Sequence, residues 1–232
     1  MSTILNIETS GGPCSAALCS DGFILVHKED FSGHNHAAML SGFIKECLAH
    51  GAEKGLKPDA VAVSIGPGSY TGLRIGLSEA KGLAYSLDIP VIGVDTLKLM
   101  TTKAMFAHDM DPDTLFAPMV DARRMEVYTA VHTLSLEDVV KPQAVILTEN
   151  EPFSALLEQG HKIAFFGNGS QKARGLFENH PGTVFIEIDE PLATDMTALS
   201  ELSMRRGEFM DLAYGVPNYI KPFYATTPRK QL

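Results

Sequence analysis

Apolar and polar positions change period along the chain, and the changes mark out its elements. Ile4, Leu5 and Ile7 form a short apolar strand that runs into a polar glycine turn, Glu8-Thr9-Ser10-Gly11-Gly12. Strands over 15–20 and 23–27 follow on either side of Asp21-Gly22, a hairpin signal because both residues tolerate φ > 0. Met39, Leu40, Phe43, Ile44 and Leu48 recur at helical spacing and predict a helix over 36–50, with Asn35 as its cap. Val61 to Ile65 reads as a buried strand broken by Gly66-Pro67-Gly68. A helix capped by Ser69 or Thr71 then runs to about Ser86. A strand over 91–94 and a helix over 96–107 complete the first half.

That second helix has a bare face. Gly72, Gly76, Ala80 and Ala84 recur every fourth residue, and a mid-helix glycine costs roughly 1 kcal/mol relative to alanine. Close approach of another backbone is the usual reason for such a ridge. Two neighbours fit: the chain's own sheet, or a second molecule.

Asp109-Met-Asp-Pro-Asp113 is a polar, proline-containing link, and a domain boundary is expected there, between a lobe of residues 1–108 and a lobe of 109–209. The second lobe opens with an apolar strand over 115–120 that ends in Asp121-Ala122-Arg123-Arg124. A strand over 126–132, a short helix over 152–159 and a strand over 162–166 come next. Gly167-Asn168-Gly169-Ser170 is a turn that opens another helix. A strand over 184–188 and a helix from Ala193 to about Gly207 end the lobe. The segment from about 210 to 232, with Pro217 and Pro222 among three aromatics, is expected to return to the first lobe as an extended arm whose last residues fray. In each half an apolar strand ends in an acidic residue, Glu8 or Asp121, before a polar turn and a second strand. The pattern is that of a duplicated α/β unit with a mixed sheet in each half.

Charge and cysteine usage narrow the function. Nineteen Lys and Arg stand against 28 Asp and Glu, a formal charge of −9, so a broad basic face for a nucleic-acid backbone is not expected. Three cysteines without Cys-x-x-Cys spacing argue against a disulfide framework or a structural zinc and fit a reducing cytosol. The opening residues lack a basic start and a long apolar stretch, so neither a signal peptide nor a membrane span is expected. Gly66-Pro67-Gly68 is not a Walker A loop, because no Gly-Lys-Ser/Thr follows. No Gly-x-Ser-x-Gly elbow is present.

Gly-Pro-Gly-Ser-Tyr-Thr-Gly-Leu-Arg-Ile-Gly over 66–76 closely resembles the signature of the TsaB (YeaZ) family of tRNA threonylcarbamoyladenosine synthesis. Asp-Ala-Arg-Arg over 121–124 and Pro-x-Tyr-Ile-Lys over 217–221 resemble further family stretches. The resemblance implies a two-lobed actin-like (ASKHA, ribonuclease-H-like) fold. It also implies a non-catalytic scaffold that forms a homodimer and activates a TsaD-like catalytic subunit, beside a TsaE-like ATPase, and touches tRNA only indirectly. TsaD-type proteins carry a His-x-x-x-His metal pair, and the eight histidines here contain no such spacing. No metal and no cofactor of its own is expected for this chain, with ATP or ADP belonging to the assembled complex.

Candidate sites follow from the same resemblance. In actin-like ATPases an aspartate ends each lobe's first strand near the nucleotide, so Glu8, Thr9, Ser10, Asp121 and Arg123 are the candidates here. Glu8 stands where that pattern has aspartate, and its extra methylene displaces the carboxylate. The competing reading is an active ATPase or phosphotransferase using Glu8 and Asp121. For the partner face the candidates are His36, Leu40 and Ile44 on one helix and Tyr70, Gly72, Leu73, Gly76, Leu77 and Ala80 on the other.

Overall fold

A computed structural model describes residues 2–33, 36–149 and 152–221. His34 and the expected cap Asn35 lie outside them, as do Pro222 and the rest of the expected arm. Strands β1 (Thr3–Glu8), β2 (Cys14–Ser20) and β3 (Phe23–Asp30) form an antiparallel meander. Helix α1 (His36–Glu53) leads to β4 (Ala60–Gly66), helix α2 (Tyr70–Leu87) to β5 (Val91–Asp95), and helix α3 (Thr96–Ala107) out of the lobe. β1 pairs in parallel with β4, and β4 with β5, giving the order β3-β2-β1-β4-β5.

The second lobe repeats this plan. β6 (Thr114–Asp121), β7 (Glu126–His132) and β8 (Asp138–Ile146) form the meander. Then come α4 (Pro152–Glu158), β9 (Lys162–Phe166), α5 (Ser170–Phe177), β10 (Thr183–Phe185) and α6 (Thr197–Arg206), the last entered through a 3-10 turn, Ala193–Met196. Read as β8-β7-β6-β9-β10, the strand order and directions match the first sheet one for one. Glu8 and Asp121 therefore occupy equivalent strand ends, and the turns Gly66–Ser69 and Gly167–Ser170 are equivalent as well. A duplication faint in the sequence is complete in the topology.

Both faces of each sheet are covered, which is why the inner strands are apolar almost throughout. In the first lobe Leu5, Ile7, Val61 and Val63 pack against α1 and α2, while Ile4, Ala60, Ala62 and Ile92 pack on the opposite face with Leu99 of α3 and Met196. In the second, Phe153, Phe165 and Phe177 form an edge-to-face and stacked aromatic cluster on one face. Leu97 and Met100 of α3 meet Phe116 and Phe166 on the other. Each lobe's third helix thus crosses to the other lobe: α3 packs on β6 and β7, and α6 packs on β1 and β5. The sequence assigned 193–207 to the second lobe, but its contacts lie on the first, because a short amphipathic helix takes whichever sheet face is left open.

The described part of the arm follows α6 onto the first lobe. Met210 N–H donates to Val91 O (2.8 Å) and Asn218 N–H to Ile65 O (2.6 Å). The Lys81 ammonium donates to the carbonyls of Gly215 (2.6 Å) and Ala213 (3.3 Å).

Candidate functional site

The carboxyl ends of β1 and β6 face one another across the cleft between the lobes, the position where open α/β sheets place ligands. Glu8 ends β1 fully buried. Its Oε1 accepts Ser10 N–H (2.6 Å) and the Ser64 hydroxyl (3.0 Å), while Oε2 has no partner. Burial pushes its pKa up from 4.5 to about 7, against the lowering effect of those hydrogen bonds. Thr9 turns away from the cleft and donates to Gly72 O (2.8 Å). Ser10 lines the cleft, and its carbonyl accepts Ser69 N–H (2.7 Å). Ser69 in turn caps α2 through Gly72 N–H, as one of the two expected caps.

Asp121, at the equivalent strand end, is exposed but engaged. It accepts Lys172 Nζ (2.6 Å) and Arg123 N–H (2.5 Å). Partial burial raises its pKa, yet Lys172 and the Arg123 N–H outweigh this and hold it below the usual aspartate value. Arg123 and Arg124 both take left-handed backbone at the β6–β7 turn, with their residues exposed. No hydrogen bond or ion pair joins Glu8 to Asp121 among the described residues.

Glu190 and Lys103, which the sequence did not single out, organise the mouth of this cleft together with Asn168 of the 167–170 turn. Glu190 Oε2 accepts Gly12 N–H (2.8 Å), and its Oε1 accepts the Asn168 carboxamide (3.0 Å). Lys103 donates to the Glu190 carbonyl (3.0 Å) and pairs with Asp195 (2.9 Å). Asn168 Oδ1 also accepts Asp121 N–H (2.8 Å), so one amide side chain ties the second lobe's strand end to Glu190. In the sequence the glycine pair at 11–12 and the Gly167-Asn168-Gly169-Ser170 turn stand at the two sides of this contact, and nothing marks Glu190 itself.

Each of these groups is engaged within the chain: Glu8 Oε1 is held by Ser10 and Ser64, Asp121 pairs with Lys172, and Gly12 N–H is held by Glu190. Among the described residues no group of three His, Cys, Asp or Glu side chains is arranged to hold a metal ion.

The expected partner face needs correction. Leu40, Ile44, Leu73, Leu77 and Ala80 are buried in the first lobe's core, and Gly72 and Gly76 are buried with them. A Cβ on Gly72 would fall closer than 3.0 Å to the Thr9 carbonyl, and one on Gly76 equally close to the Thr9 hydroxyl with Val63 beside it. The bare ridge lies on the chain's own β1 and β4, not on a second molecule. His36 is half-buried and donates through Nε2 to Gly12 O (2.8 Å). Tyr70 is half-buried, its ring 5.1 Å from Tyr219 and its hydroxyl accepting Arg74 (2.9 Å).

What α1 and α2 present outward is a different stripe. A shallow groove between them is lined by Ile44, Ser78, Glu79, Gly82, Leu83 and Ser86. Gly42 and Gly82 sit in mid-helix with nothing within 4 Å of where a Cβ would stand.

Two lobes of identical β-β-β-α-β-α-β-α plan, with their first strands meeting at a cleft, define the actin-like, ribonuclease-H-like class. A family model described as "TsaD: tRNA N6-adenosine threonylcarbamoyltransferase" matches residues 30–220. The chain is 32% identical over 184 residues to the tRNA threonylcarbamoyladenosine biosynthesis protein TsaB of Bacillus subtilis (strain 168), covering 78% of this chain and 77% of that one. It is 34% identical over 151 residues to TsaB of Escherichia coli (strain K12), covering 61% and 64%. Among solved structures, YeaZ from Pseudomonas aeruginosa superposes with a TM-score of 0.74 at 26% identity, covering 94% of this chain and all of that one. The chain belongs to the TsaB family. No helix among the described residues is long and apolar enough to cross a membrane.

Proposed function

We propose that this chain is a non-catalytic subunit in the formation of threonylcarbamoyladenosine on tRNA. It acts by forming a homodimer and by pairing with a TsaD-like catalytic subunit through the outer faces of α1 and α2, with a TsaE-like ATPase joining the assembly. The names of its B. subtilis and E. coli relatives support the pathway. A charge of −9 supports contact with tRNA only through a partner.

One observation carries the pairing surface: the exposed glycines at 42 and 82. Each destabilises its helix by roughly 1 kcal/mol relative to alanine, and within the chain nothing packs against either to offset it. A helix of another molecule lying across the groove would recover that loss by close backbone approach. The cleft chemistry supports the same reading over the ATPase alternative, since Glu8 and Asp121 are each committed to their own lobe. ATP or ADP then belongs to the assembled complex, and the isolated chain is expected to show no magnesium-dependent turnover.

The test is Gly82→Leu, followed by size measurement of the chain alone and mixed with its TsaD-like partner. The added side chain enters open space, so the melting midpoint should not fall while self-association and pairing are lost. Unchanged assembly in a folded Gly82→Leu chain rejects this surface. Substantial ATP turnover by the purified wild-type chain rejects the non-catalytic assignment.

A further inference from the structure

The last described residues of the arm touch both lobes. On the first, Asn218 N–H donates to Ile65 O (2.6 Å), and the Tyr219 ring lies against Tyr70 at the start of α2, with centroids 5.1 Å apart. Pro217 between this contact and the rest of the arm is buried. A Cβ on Gly66 would stand 2.9 Å from the Asn218 carbonyl, so a glycine at the end of β4 is what lets the arm lie so close. Further on, the Lys221 ammonium pairs with Glu126 Oε1 of the second lobe, 95 residues away in the chain.

Glu126 closes the turn between β6 and β7. Its N–H donates to Arg123 O (3.2 Å), and its carbonyl accepts Ala122 N–H (3.1 Å) and Lys172 Nζ (3.0 Å). Inside that turn Arg123 and Arg124 stand at φ 69° and 50°. Residues other than glycine seldom take this conformation, and it persists where the surroundings fix it. From Asn218 to Lys221 the backbone reaches at most about 10–11 Å, which leaves little slack between the two anchors. The anchors are unequal. Met210, Asn218, Tyr219 and Lys81 all tie the arm to the first lobe, whereas the ion pair to the second keeps 42% of the Lys221 and 18% of the Glu126 side-chain surface in water. Partly exposed pairs of this kind are weak, so a displacement at one anchor either passes through Lys221–Glu126 or breaks it.

We propose that residues 217–221 are an interlobe strap that couples the first turn of α2 to the turn carrying Arg123 and Arg124. With Lys221 and Glu126 paired, the two turns hold one another in place. With the pair broken, the β6–β7 turn relaxes without regard to α2, while the arm stays on the first lobe. Whatever engages one turn is thereby felt at the other. This inference does not rest on the pairing surface of α1 and α2, and its test needs the chain alone.

The test follows hydrogen exchange at the Ala122 and Glu126 amides in the full chain, as wild type, Lys221→Met, Lys221→Arg, Tyr219→Ala and the double variant Lys221→Met/Tyr219→Ala. Lys221→Met is expected to quicken both amides about threefold to fivefold, and Lys221→Arg, which keeps the cation, to leave them near wild type. Tyr219→Ala removes a contact on the first lobe, yet it should quicken the same two amides of the second. In the double variant the rates should not exceed those of Lys221→Met alone, because one route carries both effects. Should Tyr219→Ala fail to fold, Tyr219→Leu, which keeps much of the bulk and loses the ring contact, carries the same expectation. Turn amides unmoved by Lys221→Met, turn amides unmoved by the Tyr219 variant, or effects that add in full in the double variant would overturn the proposal.

Discussion

Replacing Gly72 with alanine separates the two meanings a bare helix ridge can have. In an exposed mid-helix position the change raises stability by up to about 1 kcal/mol. At Gly72 the new methyl would collide with the Thr9 carbonyl, at a separation real Cβ atoms essentially never show. Overpacking of this kind costs about 1–3 kcal/mol. Moving Thr9 aside also breaks its 2.8 Å hydrogen bond to Gly72 O and leaves a fully buried hydroxyl unpaired, a further loss of about 1–3 kcal/mol. Net of the propensity gain, Gly72→Ala should be destabilised by about 3 kcal/mol. For a chain of this size that lowers the thermal midpoint by about 6–12 °C. Gly175→Ala is the control, because Gly175 lies within α5 with nothing within 4 Å of its Cβ position. Its midpoint should hold or rise by about 2–4 °C. Calorimetry or circular dichroism of the two variants reads both numbers. A Gly72→Ala midpoint at or above wild type would show that the Thr9 turn yields freely and that the ridge does not seat α2.

Two further outcomes follow from single groups. Between 4.5 and about 7 the folded chain keeps a proton on Glu8 that the unfolded chain has lost, so this residue's contribution to stability falls as pH rises through that window. At about 1.4 kcal/mol per unit the difference is on the order of 3 kcal/mol. Glu8→Gln should therefore gain on wild type between about pH 5 and about pH 8 in denaturant titrations, and parallel curves would refute the assignment. Lys81→Met frees the carbonyls of Ala213 and Gly215 and should loosen the arm by about 1–2 kcal/mol. Hydrogen exchange at the Asn218 amide should then quicken about fivefold to thirtyfold, and an unchanged rate would mean that the Asn218–Ile65 bond holds the arm unaided.

How far the sequence reveals this molecule depends on how local each cause is. β7 at Glu126–His132 and β9 at Lys162–Phe166 are legible to the residue, because their patterns are set by burial on a sheet with fixed faces. β8 is not, since Lys141, Pro142 and Gln143 interrupt an edge strand whose outer side faces solvent. The equivalence of Glu8 and Asp121 shows as a faint echo, and only strand order makes it a duplication. The ridge of Gly72, Gly76, Ala80 and Ala84 is plain as a pattern, yet periodicity says that a face is bare and not what lies against it. Here Thr9, 63 residues away, fills it. Glu190 is further from reach. It has no periodic partner, its contact to Gly12 spans 178 residues, and what makes it matter is the pairing of two lobes that no local window contains. The outward glycines at 42 and 82 reverse the situation: their helices were singled out for pairing, but the stripe that faces away became visible only once the inward one had been accounted for. An open glycine within a helix is not by itself the mark of a missing neighbour, since Gly175 on α5 is as open as Gly42 and Gly82; what distinguishes Gly82 is its place on the groove between α1 and α2, and that groove is where a neighbour should be sought.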